Sequence, residues 1–196
     1  MLENYWPFLL FVIAMTSTPG AGNLSMLALG QTVGYRKSLP FLGGIVTGGL
    51  CIDLLVAFGL AELYMASPRA ALVFKVLSTA YILYLAWKIL RMHVSTPGET
   101  RPFSYLEGVI LHPLNPKTWA MAVSSFSQFA DPLAPQTPQI LVFVLTYFTA
   151  MIVFHSMWGV AGASFMRVLR TRRAELMVNG FMVMLMVGAT VYALFT

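Results

Sequence analysis

The sequence predicts an all-α membrane protein of six transmembrane helices, arranged as two inverted three-helix repeats with helices 1 and 4 broken at mid-membrane. Three observations predict it. Charged residues make up 10% of the chain against 58% hydrophobic, whereas soluble domains carry about 25% charged residues; there are too few charges to coat a soluble surface. Apolar segments near or above the ~20 residues of a spanning helix run over about 5–30, 39–64, 70–90, 104–129, 139–165 and 176–195. Two of those six, the first and the fourth, are interrupted in the same way.

In the first segment, Trp6 to Met15 is apolar, Thr16-Ser17-Thr18-Pro19-Gly20-Ala21-Gly22-Asn23 follows, and a second apolar run extends from Leu24 to Val33. As one straight helix the stretch would measure ~42 Å, beyond a hydrocarbon core of ~30 Å. Proline lacks an N–H and glycine weakens a helix, so two half-helices with a break at mid-depth are expected. Thr18 is placed to cap the second half, with Pro19 at its first helical position.

The second segment carries small residues at Gly43-Gly44 and Gly48-Gly49, a spacing that lets helices approach closely, and an acid, Asp53, in its middle. The third has Tyr81, Tyr84 and Trp87 near its end, as Tyr5 and Trp6 open the first; aromatics at segment ends anchor at the interface. In the fourth, Phe103 to Leu114 leads into Asn115-Pro116-Lys117 and an apolar run to Phe129. Asn115 is a good N-cap, and Pro116 again takes the first helical position. The fifth holds His155 and the small residues Gly159, Gly162 and Ala163. The alternating Met182, Met184 and Met186 of the sixth scatter over different faces and read as filler.

Basic residues fall at segment ends. Arg36, Lys37, Lys88, Arg91, Arg101, Arg167, Arg170, Arg172 and Arg173 lie on one side, nine against Arg69 and Lys75 on the other. The positive-inside rule then puts both termini outside the cytoplasm. The net charge of +5 thus reports topology, not nucleic-acid binding. With Glu3 as its only side-chain charge, the N-terminus lacks the basic region of a signal peptide and is expected to be retained. The first repeat is residues 1–94, a cytoplasmic linker 95–102, and the second repeat 103–196. Three crossings per half invert the second half, and paired breaks place a transporter site at the midplane.

Ionisable groups inside a membrane are costly and usually functional. Asp53 and Lys117 qualify, either as a structural pair or as a working site. In an inverted repeat the helix ends at Pro19 and Pro116 converge, each with free N–H groups and a partial charge of about +0.5. With Lys117 they make a seat for a carboxylate. Gly20 and Gly22 would let a ligand approach the backbone, and Asn23 and Asn115 can donate or accept hydrogen bonds. The substrate-binding set is therefore Thr18, Pro19, Gly20, Gly22, Asn23, Asn115, Pro116 and Lys117, with Asp53 and His155 for proton coupling. His112 reads as shaping the approach to the break. Cys51 is the single cysteine, and His93, His112 and His155 are far apart in sequence; no metal site and no cofactor is expected.

Thr18-Pro19-Gly20 with Asn23, the pair Arg36-Lys37, the stretch Ala80-Tyr81-Ile82-Leu83-Tyr84-Leu85-Ala86-Trp87-Lys88, and Leu114-Asn115-Pro116-Lys117 before Gln128-Phe129 together resemble the LysE/RhtB translocators, in the right order over nearly the whole chain. The resemblance implies a six-helix bacterial inner-membrane exporter of amino acids or their derivatives, driven by the proton gradient. Members export lysine, homoserine and threonine, leucine, or cysteine with O-acetylserine, and the segment from Leu133 onward looks closer to the last group. Two positions depart from the family: Ala21-Gly22 replaces its second proline, and Gly49 stands where many members carry their helix-two acid, one turn before Asp53. The expected function is export by alternating access, with an amino acid, protons and the lipid bilayer as partners and a homo-oligomer compatible with the sequence. Metal-ion export and, further off, an intramembrane enzyme using Thr16, Ser17 or Thr18 with Asp53 or His155 are the alternatives.

Overall fold

A computed structural model describes residues 2–59, 68–92, 101–131, 133–165 and 172–195. The expectations for His93, the linker over 95–100, the end of the second segment at 60–64, and Arg167 and Arg170 lie outside them.

Within the described residues the chain is all-helical: α1 (Leu2–Ser17), α2 (Ala21–Val33), α3 (Tyr35–Ala57), α4 (Pro68–Arg91), α5 (Tyr105–Leu111), α6 (Pro116–Phe129), α7 (Gln136–Phe165) and α8 (Arg172–Phe195). Three helices are long and apolar enough to cross a membrane, within Tyr35–Ala57, Pro68–Arg91 and Gln136–Ser164. The pair α1 and α2, over Tyr5–Ser17 and Ala21–Val33 and bent by 49° at its break, passes the same test together and makes a fourth when counted as one broken span. The outward faces are greasy: Leu10, Leu72, Val76, Leu106, Leu145 and Phe181 are all exposed, which suits lipid and not water.

The fourth segment breaks as its sequence predicts. Asn115 caps α6, its Oδ1 accepting from the Lys117 N–H at 3.1 Å, and Pro116 begins the helix. Upstream, Ser104 and Glu107 close a capping box on α5. Glu107 also accepts from Lys88 Nζ and Tyr84 Oη, both at 2.5 Å, and its carbonyl accepts from Tyr81 Oη. The aromatic residues of α4 thus tie it to α5 as well as facing outward.

The first break differs from its expected form. The N-cap of α2 is Gly20, in extended conformation and without a side-chain cap, and the helix starts at Ala21. Thr18 instead donates its hydroxyl back to the Met15 carbonyl at 2.8 Å. A threonine close behind a helix can satisfy one of its orphan carbonyls, and here that local acceptor wins. A second correction concerns α3. It ends at Ala57, so Asp53 lies in its last turns, not in the middle.

Small residues set the tightest packing. A Cβ on Gly44 would sit 2.0 Å from the Tyr105 carbonyl oxygen, and one on Gly48 2.2 Å from that of Val109, so α3 lies against α5 backbone to backbone. Gly30 against Gly159 and Gly162 against Leu27 do the same for α2 and α7, at 2.0 and 2.1 Å. The packing reading of these glycines holds. Met182 and Met186 are buried and Met184 is exposed, the scatter their alternation predicts.

Candidate functional site

The two breaks meet. Lys117, in the first turn of α6, donates Nζ to Thr18 Oγ1 at 2.8 Å, with the Thr18 and Pro19 carbonyls at 3.4 and 3.5 Å. Beside this junction lies a cavity of about 40 Å³, lined among others by Thr16, Asn23, Asp53, His112, Lys117 and His155. It draws on α1, α2, α3, α6, α7 and the α5–α6 turn. A water needs roughly 10–15 Å³ by this measure, so in this conformation the cavity holds a few waters at most.

Most of the expected site residues gather at this cavity. Thr18, Gly20, Gly22, Asn23, Asn115 and Lys117 line it, as do Asp53 and His155; Pro19 and Pro116 flank it in the chain. Several are already engaged. Asn23 Nδ2 donates to the carbonyls of Thr16 and Thr18 at 2.7 and 2.9 Å, and its Oδ1 lies 2.6 Å from His155 Nδ1. Gly22 is backed by an imidazole: a Cβ there would fall 2.8 Å from His155 Cε1. Gly20 faces the Lys117 side chain, 3.4 Å from its Cδ and Nζ.

Asp53 and Lys117 do not form an ion pair. Lys117 is spent on the α1–α2 break, and one Asp53 oxygen is buried without a hydrogen-bond partner. Thr16 Oγ1, His112 Nε2 and His155 Nε2 share that condition. Buried polar atoms are nearly always paired, so these four atoms beside one cavity take water or a polar guest as their partner.

His112, read from the sequence as shaping the approach to the break, also lines the cavity. It lies in the α5–α6 turn, buried, with Nδ1 2.6 Å from Thr118 Oγ1 and its ring centroid 5.7 Å from that of His155. Its position three residues before the Asn115 cap was the available signal. Tyr147, another lining residue, donates to Ser125 Oγ at 3.1 Å.

The alternatives find little. Among the described residues no three of His, Cys, Asp or Glu are grouped to hold a metal ion, and Cys51 is exposed, away from the cavity. A hydrolytic nucleophile needs hydrogen-bond contact with its base. Ser17 and Thr18 donate instead to main-chain carbonyls, and Thr16 Oγ1 is bonded to neither Asp53 nor His155.

A helical bundle with several membrane-length apolar helices and a small cavity, lined in part by polar side chains, where two helix breaks meet fits a membrane translocator for small molecules. The family model for the "LysE type translocator" matches residues 13–196, and the chain belongs to that family. It is accordingly a multi-pass inner-membrane transporter and not an enzyme. The chain is 33% identical over 175 residues to the cysteine/O-acetylserine efflux protein of Escherichia coli O1:K1 / APEC, covering 87% of this chain and 86% of that protein. The protein of the same description from Escherichia coli O157:H7 is 32% identical over 174 residues, with the same coverage. An uncharacterized membrane protein of Vibrio cholerae is 28% identical over 155 residues, covering 75% and 76%. No solved structure matches the chain.

Proposed function

We propose that this chain exports an amino acid or amino-acid derivative from the cytoplasm by proton antiport, with alternating access to the cavity at the paired breaks. The observation that carries the reading is the bond from Lys117 on α6 to Thr18 at the α1–α2 break. It joins the two N-terminal helix ends at the wall of one polar cavity. Helix N-termini and an ammonium favour an anion, and a substrate carboxylate takes that place, supported by Asn115, Pro116 and Lys117 on one side and Thr18, Pro19, Gly20, Gly22 and Asn23 on the other.

Asp53 alternates between a proton and the substrate amine, and His155 relays the proton. Their unpartnered atoms beside the cavity support both roles. The topology is six spans in two inverted repeats, 1–94 and 103–196, with both termini outside; the charge distribution and the pair of breaks support it. The efflux relatives support the direction of transport and an amino-acid substrate. In this conformation the cavity has room for a few waters, and a larger substrate loads as the helices around it part.

The test is a panel of amino acids, cysteine and O-acetylserine included, preloaded into vesicles bearing the purified protein. Efflux is followed with and without a pH gradient. The reading expects at least one amino acid to leave faster with the gradient; a panel in which none leaves faster than from empty vesicles refutes it.

A further inference from the structure

At one side chain of the cavity, His155, the hydrogen position is fixed by its neighbour. Asn23 Nδ2 faces two carbonyl oxygens, of Thr16 and Thr18, which can only accept. The amide cannot be turned round, so Oδ1 is the atom presented to His155 Nδ1. Oδ1 also only accepts, and Nδ1 must therefore carry the hydrogen. A neutral imidazole has one N–H, which leaves His155 Nε2 as a bare lone pair, buried and without a partner. Asp53 Oδ2 beside the same cavity is unpartnered too, as is Nε2 of the neighbouring His112.

We propose that His155 Nε2, together with Asp53 on the same cavity, takes a protonated primary amine, and that Asn23 is a positioning residue which holds His155 in the accepting form. An ammonium has three donors and no acceptor, the complement of a bare imidazole lone pair beside a carboxylate oxygen. A carboxylate is its opposite, and belongs at the Lys117 end. The titratable groups facing the imidazoles are Asp53 from α3, Lys117 from α6 and Tyr147 from α7, and the two histidines face each other. Lys117 is held off by its bond to Thr18. Room for the rings comes from Gly22 and Gly49, where a Cβ would lie 2.8 Å from His155 Cε1 and 3.3 Å from His112 Cδ2. The cavity thereby gains a direction: carboxylate to the helix ends, amine to His155 and Asp53. This rests on the reading of the chain as an amino-acid exporter.

The test compares binding of three probes to the full-length protein in detergent: L-cysteine, 2-hydroxy-3-mercaptopropanoate (hydroxyl for amine) and L-cysteinamide (no carboxylate). The wild type is expected to prefer cysteine over the hydroxy acid by tenfold or more. In His155→Phe, Asp53→Asn and Asn23→Leu that preference falls to within about threefold, while cysteine is still preferred to cysteinamide. A merely structural role for Asn23 would weaken binding of all three probes together and leave the ratio of cysteine to hydroxy acid unchanged. Thermal melting identifies variants that fail to fold, and Asp53→Asn and Asn23→Leu carry the decision if His155→Phe is among them. Equal binding of cysteine and the hydroxy acid by the wild type, or an undiminished preference in the folded variants, overturns the amine seat and leaves the exporter reading standing. A wild type that binds none of the probes, and exports no amino acid from the vesicle panel, overturns both.

Discussion

Two glycine-to-alanine substitutions, chemically the same change, should move stability in opposite directions. At Gly44 an added Cβ would lie 2.0 Å from the Tyr105 carbonyl oxygen and 2.9 Å from both Gly108 Cα and Val109 N. Every one of these neighbours is main chain, so no rotamer change relieves the clash. The helices α3 and α5 must separate by roughly 1 Å, and a gap of that size forfeits a quarter to a half of each contact's attraction. Overpacking of this kind costs about 3 kcal/mol at the upper end, and the better helix propensity of alanine returns about 1 kcal/mol. The net is a loss of about 2 kcal/mol, or a Tm lower by about 4–8 °C for a chain of this size. Gly188, in α8, has nothing within 4 Å of its would-be Cβ. There only the propensity gain remains, up to about 1 kcal/mol and a Tm higher by about 2–4 °C. The measurement is thermal unfolding of the detergent-solubilised protein. If Gly44→Ala melts at or above the temperature of Gly188→Ala, the backbone-to-backbone contact of α3 and α5 is refuted.

Lys117→Met removes the ammonium at the joined breaks. Charged hydrogen bonds are worth about 1.5–3 kcal/mol, so KM for an exported amino acid should rise by about 10–150-fold, and an unchanged KM would end its carboxylate role. Asp53→Asn should abolish the stimulation of efflux by a pH gradient in proteoliposomes while downhill exchange continues; stimulation at the wild-type ratio would show that the proton is carried elsewhere. Glu107→Gln loses the charge that holds Lys88, Tyr84 and the Ser104 cap, about 1–3 kcal/mol, and should lower Tm by several degrees. A double substitution with Lys88→Met should cost less than the two separate losses added together, because the partners act through one contact.

The parts of this protein legible in its sequence are those whose cause is local. Asn115 and Pro116 specify a helix start within three residues, and the structure has it there. Thr18-Pro19 carries nearly the same wording, yet its threonine finds an acceptor in the helix behind it and a lysine 99 positions ahead. Nothing in a cap rule weighs such competitors. Gly44, Gly48 and Gly162 were readable as packing surfaces because small-residue spacing is itself the signal, whereas their partner carbonyls were not. Gly22 was expected to admit a ligand; only the fold shows that an imidazole from α7 fills that space. Whether Asp53 and Lys117 pair could not be decided from spacing, since both readings require the same two residues. His112 was passed over because a turn residue points wherever the two flanking helices aim it.

The closeness of main chain to main chain along α3–α5 and α2–α7 has a mechanical consequence. Pairs of helices with no side chains between them cannot slide without riding over each other's carbonyls, so each pair travels as one stiff lever. Bending is left to the short joints at Thr18–Gly20 and His112–Leu114, and those joints are the walls of the cavity. On the proposed alternating-access reading, a substrate lodged there grips the pivot of its own passage.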